Sequence, residues 1–171
     1  MKLETERLTL RLWQEGDLHS FIVLSNDPGF NNFSTGRYEN MTEEKARSFI
    51  RENSQQFSKR GIGRLGVFLK EQSIPIGICG IFEMSEDPFK GQLAIGYRFA
   101  GAHWGKGFAR ESAAEIIRYG LGDLGCKEIM ALIDPSNSRS VRVAQKLNLF
   151  FKGDIIYKGK ASQRWTTSPA V

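Results

Sequence analysis

The chain reads as an α+β (three-layer α/β) fold in one domain spanning residues 1–171, a mixed and mainly antiparallel sheet flanked by helices. Three observations predict it. Period-2 alternation recurs in short runs bounded by turn residues, as in Leu8, Leu10 and Leu12 against Thr9 and Arg11. Two longer segments, after Thr42 and after Gly107, change to helical spacing. Residues 92–147 form an unbroken unit of strand, glycine loop, helix, strand and helix, with no linker, repeat or low-complexity tract to divide the chain.

In order, the alternation at residues 8–12 is a half-buried strand, and Asp17 caps a short helix through Leu24. Residues 26–40 are rich in turn formers. Thr42, followed by Glu43 and Glu44, starts a longer helix with Ala46, Phe49, Ile50 and Phe57 on one side. Residues 64–70 and 74–82 read as an antiparallel pair joined near residues 71–73, and residues 86–91 turn the chain into a strand at 92–99. Gly96 within that strand signals a bulge or a close approach to the backbone. Phe108, Ala109, Ala113, Ile116, Ile117, Tyr119 and Leu121 keep helical spacing up to Gly120 and Gly122. A strand at 128–133, a turn at 134–137 and a basic helix from Ser138 to Leu147 follow; residues 155–157 and 163–166 should pair as the last strands.

With 40% hydrophobic and 25% charged residues, the chain can bury a core without disulfides or metal. Cys79 and Cys126 lie in or beside strands and read as small buried thiols in a reducing setting; no cysteine–histidine spacing suggests zinc, so no metal is expected. The start, Met1-Lys2-Leu3-Glu4, lacks the apolar core of a signal peptide, and no apolar run is long enough to span a bilayer. The expectation is a soluble, cytoplasmic protein. A net charge of +5 and a pI near 9.3 invite a nucleic-acid reading. The basic residues are spread along the chain, however, apart from Arg139, Arg142 and Lys146, and direct nucleic-acid binding is not favoured.

The most informative run is His103-Trp104-Gly105-Lys106-Gly107-Phe108-Ala109-Arg110-Glu111. Glycine lets backbone approach an anion with no Cβ in the way, and the free N–H groups of the next helix face that anion with the positive end of the dipole behind them. A diphosphate suits such a cradle. The run lacks the Gly-Lys-Ser/Thr ending that would hold magnesium in a P-loop.

With this run go Thr5-Glu6-Arg7-Leu8-Thr9-Leu10-Arg11, Ile76-Gly77-Ile78-Cys79-Gly80, Ile95-Gly96-Tyr97, and Asn137-Ser138-Arg139-Ser140 followed by Lys146. In this set and order the chain resembles the GNAT superfamily of acyl-CoA-dependent N-acetyltransferases, in particular the ribosomal-protein N-terminal acetyltransferase (RimJ/RimL-like) branch. The resemblance implies two central strands, 92–99 and 128–133, that start side by side and splay apart. Acetyl-CoA would enter that gap, its pantetheine pairing with backbone of Tyr97, Arg98 and Phe99, its diphosphate cradled by Trp104, Gly105, Lys106, Gly107, Phe108 and Ala109, and its arm bonded by Asn137. Ser140 would hydrogen-bond the sulfur as it becomes thiolate and is the implied catalytic acid. The implied partner is an amine-bearing substrate, a ribosomal or other protein N-terminus being favoured over a polyamine or aminoglycoside; homodimers are common in the branch. A CoA-binding sensor of the same fold is the alternative.

Four places depart from the family pattern, one being Trp104, where the family often has Gln or Arg and this branch generally has Trp. Ala94 stands where a glutamate base is usual, which leaves Glu83, Glu86 and His103 as candidates; Ala144 replaces the usual helix tyrosine; Asn148-Leu149 replaces Gly-Phe after the second helix. The turn-rich segment shapes the acceptor pocket in the family, making Phe30, Phe33, Arg37 and Tyr38 candidates for substrate contact.

Overall fold

The computed structural model describes residues 1–33 and 38–168. Its strands are β1 (Lys2–Glu4), β2 (Leu8–Arg11), β3 (Gly63–Leu69), β4 (Pro75–Glu83), β5 (Leu93–Phe99), β6 (Met130–Ile133), β7 (Phe150–Tyr157) and β8 (Lys160–Thr166); its helices are α1 (Leu18–Ser25), α2 (Pro28–Asn31), α3 (Glu43–Arg60), α4 (Phe108–Gly122) and α5 (Ser138–Lys146). The strands form one sheet in the order β1-β2-β3-β4-β5-β6-β8-β7. Every neighbouring pair is antiparallel except β5 with β6. The expected mixed, mainly antiparallel sheet with flanking helices is what forms.

β4 is the central strand, buried along its first seven residues because it is covered on both faces. α1 and α3 pack over one face, where Trp13, Phe21, Phe30, Tyr38, Ile50 and Phe68 make an aromatic core; α4 packs over the other against Leu65, Cys79, Ile81, Ile95 and Ile129. α3 starts where expected, the Thr42 hydroxyl accepting from the Lys45 N–H at 3.3 Å, and ends at Gly61 with φ 69°. Among the described residues no helix is long and apolar enough to cross a membrane.

Two local expectations change, and at Gly96 one of the two alternatives holds. Asp17 does not cap α1: its carboxylate takes two hydrogen bonds from the Arg11 guanidinium, at 2.6 and 2.8 Å, and one from the Gln14 N–H at 2.8 Å. Burial pushes this carboxyl up, but those donors outweigh it and hold it below the usual carboxylate range. Gly96 carries no bulge; it sits in unbroken register opposite Gly80, and the close approach is that of the Phe82 ring, 3.0 Å from where a Cβ would stand. The last strands are longer than residues 155–157 and 163–166, because pairing runs from Phe150↔Thr166 to the turn at Tyr157↔Lys160.

The two central strands meet at one register pair, Ala94↔Met130, after which β6 pairs with β8 through Ile133↔Gln163. From Ile95 to Phe99, β5 therefore has β4 on one side and a widening gap on the other. This splay, and the helix that begins beyond each strand, position the site.

Candidate active site

β5 leads through a short 3₁₀ turn (Gly101–His103) and Trp104 into Gly105, Lys106 and Gly107, and then α4. Gly105 and Gly107 have φ of 76° and 83°, a region that costs an L-residue about 1–2 kcal/mol. A Cβ on Gly105 would meet nothing within 4 Å, so the glycine leaves a clear approach to the backbone. Gly107 is the N-cap of α4 and brings no side chain to bond its first N–H groups. Phe108 is buried and anchors the helix in the core, while Gly105, Lys106 and Gly107 are exposed. The loop is braced by Trp104, whose indole N–H donates to the Phe99 carbonyl at 2.9 Å; the Arg139 guanidinium lies 4.0 Å from the centre of the Trp104 ring. The Trp104–Arg139 stack thus ties this loop to α5.

The gap has usable backbone. The Ala100 N–H donates to the Ile76 carbonyl at 3.0 Å, which makes Gly77↔Phe99 a non-hydrogen-bonded pair of the β4–β5 ladder. Tyr97 shares that parity, so Tyr97 and Phe99 turn their N–H and C=O groups away from β4, toward the gap, where the Phe99 carbonyl already accepts the Trp104 indole N–H. Arg98 does the opposite: its backbone belongs to the ladder, and its guanidinium reaches the carbonyls of Phe30, Asn32 and Phe33 at 3.2, 3.4 and 3.3 Å. Arg98 therefore holds the segment after α2, and the peptide-like edge consists of Tyr97 and Phe99.

Across the gap, Asn137 caps α5. Its side-chain oxygen accepts the Ser140 N–H at 3.1 Å, which leaves its amide NH₂ available as a donor. Ser140 is half-buried in the first turn of α5, and its side chain lies close enough to the Tyr97 phenol to influence its ionisation. Burial pushes the Tyr97 phenol up to about 12, with nearby Ser140 opposing, so it stays protonated and able to donate at neutral pH. Cys79, opposite Tyr97 on β4, is buried and pushed up to about 12 by the same cause, an inert thiol; Cys126 is half-buried, not fully inside.

The acceptor side carries no carboxylate on β5. Ala94 is 1% exposed and packs with Met84, Phe89 and Met130. Glu83 pairs with Arg60, and Glu86 with Lys158 at 2.6 Å. His103 lies on the loop side, its ring against Phe108; burial and the nearby Lys106 hold it below the ordinary histidine value, hence neutral near pH 7. Phe30 and Tyr38 are 1% and 3% exposed and meet edge-to-face, so they are core residues that brace the segment from inside. Phe33 is exposed; Arg37 lies outside the described residues.

Asn148 takes the left-handed conformation that the usual glycine would, with φ 56°. The Asn148 N–H bonds Gln145 C=O and the Leu149 N–H bonds Ala144 C=O, both at 3.0 Å, which is the helix-ending pattern glycine normally supplies. Ala144 is buried in the core below.

Three side chains have contacts that the sequence does not display. Tyr97 was singled out for its backbone, yet its hydroxyl faces Ser140. Arg7 and Thr5 reach across from the β1–β2 turn to Glu111 in the first turn of α4, with Thr5 Oγ1 at 2.6 Å, Arg7 N at 2.8 Å and Arg7 Nε at 2.7 Å from its carboxylate. The signal was the run of residues 5–11, which carried the resemblance but no assigned role.

These features suit an acyl-CoA: an uncapped helix start behind glycines that leave room for a diphosphate, a strand edge with no neighbouring strand for pantetheine amides, and hydroxyls where the arm would end. No group of residues able to hold a metal occurs among the described residues. Comparison with known proteins agrees. The family described as "Acetyltransferase (GNAT) domain" matches residues 7–149. The uncharacterized N-acetyltransferase p20 of Bacillus licheniformis is 30% identical over 155 residues, 88% of this chain and 83% of its own. The ribosomal-protein-S5-alanine acetyltransferase of Vibrio fischeri has a similar structure, with a TM-score of 0.77 at 18% identity over 98% of this chain and 96% of that one. So has a ribosomal L7/L12 α-N-protein acetyltransferase in complex with coenzyme A, with a TM-score of 0.74 at 13% identity and 97% of both chains. Fold, site geometry and family match converge, and the chain belongs to the GNAT family of N-acetyltransferases.

Proposed function

We propose that the protein transfers the acetyl group of acetyl-CoA to a primary amine by direct attack in a ternary complex, that a protein N-terminal α-amine is its favoured acceptor, and that Ser140 is the acid. The observation that carries this reading is the pair of hydroxyls at the mouth of the splay. Ser140 is held by its own N–H to Asn137 and faces the protonated Tyr97 hydroxyl. As the N–C bond forms and the C–S bond breaks, the Ser140 O–H hydrogen-bonds the sulfur that takes up the charge. Tyr97 stands behind it to share the proton. Asn137 has a free NH₂ to donate to the pantetheine arm, Tyr97 and Phe99 offer backbone along the gap, and Trp104 to Ala109 form the diphosphate cradle.

Ala94 supports the acceptor class. A carboxylate at this position would be buried among Met84, Phe89 and Met130, so β5 supplies no strong base. An α-amine has a pKa of about 7.7–8.0, against about 10.4 for a lysine-type amine, and is substantially neutral without one. Ribosomal-protein acetyltransferases among the structural neighbours point to the same class. Polyamine and aminoglycoside amines, largely protonated at neutral pH, suit this site less well. Homodimerisation, common in the branch, is part of the same expectation.

The test is acetyl-CoA turnover, read as free thiol release, against N-terminal peptides, polyamines and aminoglycosides, with Ser140→Ala alongside. Turnover on peptides that collapses in the variant, with acetyl-CoA affinity retained, supports the reading. Tight acetyl-CoA binding with no turnover on any amine would instead mark a CoA-binding sensor, the alternative that the missing glutamate at Ala94 leaves standing.

A further inference from the structure

We propose that Arg7, far from the reacting atoms in sequence and fold, is the positioning residue of the phosphate loop, acting through the Lys106 carbonyl and Glu111. This rests on the reading that the acyl-CoA diphosphate lies at the start of α4.

The β1–β2 turn is fixed before it reaches the loop. The Thr5 N–H donates to the Leu8 carbonyl and the Leu8 N–H to the Thr5 hydroxyl, both at 3.0 Å, while the Arg7 carbonyl accepts the Lys70 N–H at 3.0 Å from the end of β3. From this anchored turn the Arg7 guanidinium lies over the Phe108 ring, 4.7 Å from its centre. Its Nη1 donates to the Lys106 carbonyl at 3.0 Å, and its Nε and Nη2 hold one oxygen of Glu111 at 2.7 and 2.6 Å. The planar fork suits this: one side chain grips a loop carbonyl and a helix carboxylate together, which a lysine ammonium does not reproduce.

Two consequences bear on an anion. A trans peptide plane points its C=O and N–H in opposite directions, so holding the Lys106 carbonyl against Arg7 aims the Gly107 N–H away from Arg7, to the outer side of the loop. Without that hold, the carbonyl is free to turn its negative end toward a phosphate. Glu111 favours the helix dipole, yet its charge sits one turn from the cradle, where Arg7 offsets it. Arg7 also lies so close to Gly107 that a Cβ there would stand 3.3 Å from its Nη2, a second reason for glycine besides φ.

The experiment compares two donors that differ in the diphosphate. Dissociation constants of acetyl-CoA and S-acetylpantetheine, which lacks the nucleotide and its phosphates, are measured by calorimetry for wild type, Arg7→Gln and Arg7→Lys, with a thermal melt of each. The expected result is an acetyl-CoA affinity weakened at least about tenfold in Arg7→Gln, no recovery in Arg7→Lys, and S-acetylpantetheine binding unchanged in all three. Equal loss for both donors, or no loss for either, overturns the proposal, the first because it marks a purely structural role. Full recovery in Arg7→Lys overturns the fork and leaves a simple charge effect. If wild type itself binds both donors alike, the phosphate-loop reading fails, and the role of Arg7 with it.

Discussion

The two helices that follow the splayed strands begin in opposite ways. α5, after β6, is closed by its own sequence: Asn137 bonds the Ser140 N–H, and the first turn is committed to holding Ser140 against Tyr97. α4, after β5, starts at Gly107 with φ 83° and has no capping side chain; its carboxylate, Glu111, is turned to Arg7 and Thr5 instead of back to the cap. A capping box needs Ser or Thr at the cap and Glu or Gln at N3, where this helix has Gly107 and Arg110. One helix start is used to place a hydroxyl, the other is left open for a ligand's charge, and the sheet's single parallel contact sets them on either side of one gap.

Four measurements break or sharpen this contrast. Ser140→Ala should lower kcat by about a hundredfold or more while the acetyl-CoA dissociation constant holds, read by thiol release and calorimetry. Closing the open helix with Gly107→Val adds about 1–2 kcal/mol of backbone strain, and acetyl-CoA affinity should fall by more than the thermal melt alone accounts for. Uncapping the closed helix with Asn137→Ala should cost about 1 kcal/mol in chemical denaturation, and Asn137→Asp should recover the stability, since a carboxylate also caps. The smallest effect concerns pH. Burial pushes Glu111 up, but the hydrogen bonds from Thr5 and Arg7 outweigh it and hold this carboxyl below the ordinary value. Its stabilisation is therefore fully present above the unfolded value of about 4.3 and is lost as pH falls through the lower folded value. The difference in unfolding free energy between wild type and Glu111→Gln, about 1 kcal/mol or less, should shrink below that pH.

Much of this architecture is legible locally. Thr42, the alternation at Leu8 and Leu10, and the glycines at 105 and 107 each carry their own instruction, and each forms as read. The positions that resisted are those decided by partners distant in the chain. Asp17 has the chemistry of a cap, but Arg11 competes for it with charge. Phe30 and Tyr38 sit in a loop-like sequence, yet the aromatic core under α1 and α3 closes over them. Tyr97 and Arg7 were visible as residues and not as roles, because a hydroxyl and a guanidinium acquire direction only when strands far apart in sequence, or a turn and a helix about a hundred residues apart, are brought together.

The central claim is that the start of α4 is open to the donor's phosphates and the start of α5 is not. Backbone amide NMR during titration with inorganic pyrophosphate tests it most directly. The account predicts that the N–H signals of Gly105, Gly107, Phe108 and Ala109 move and saturate together while that of Ser140 stays in place. Shifts at Ser140 equal to those at Gly107, or a loop that does not respond to pyrophosphate at all, would contradict it.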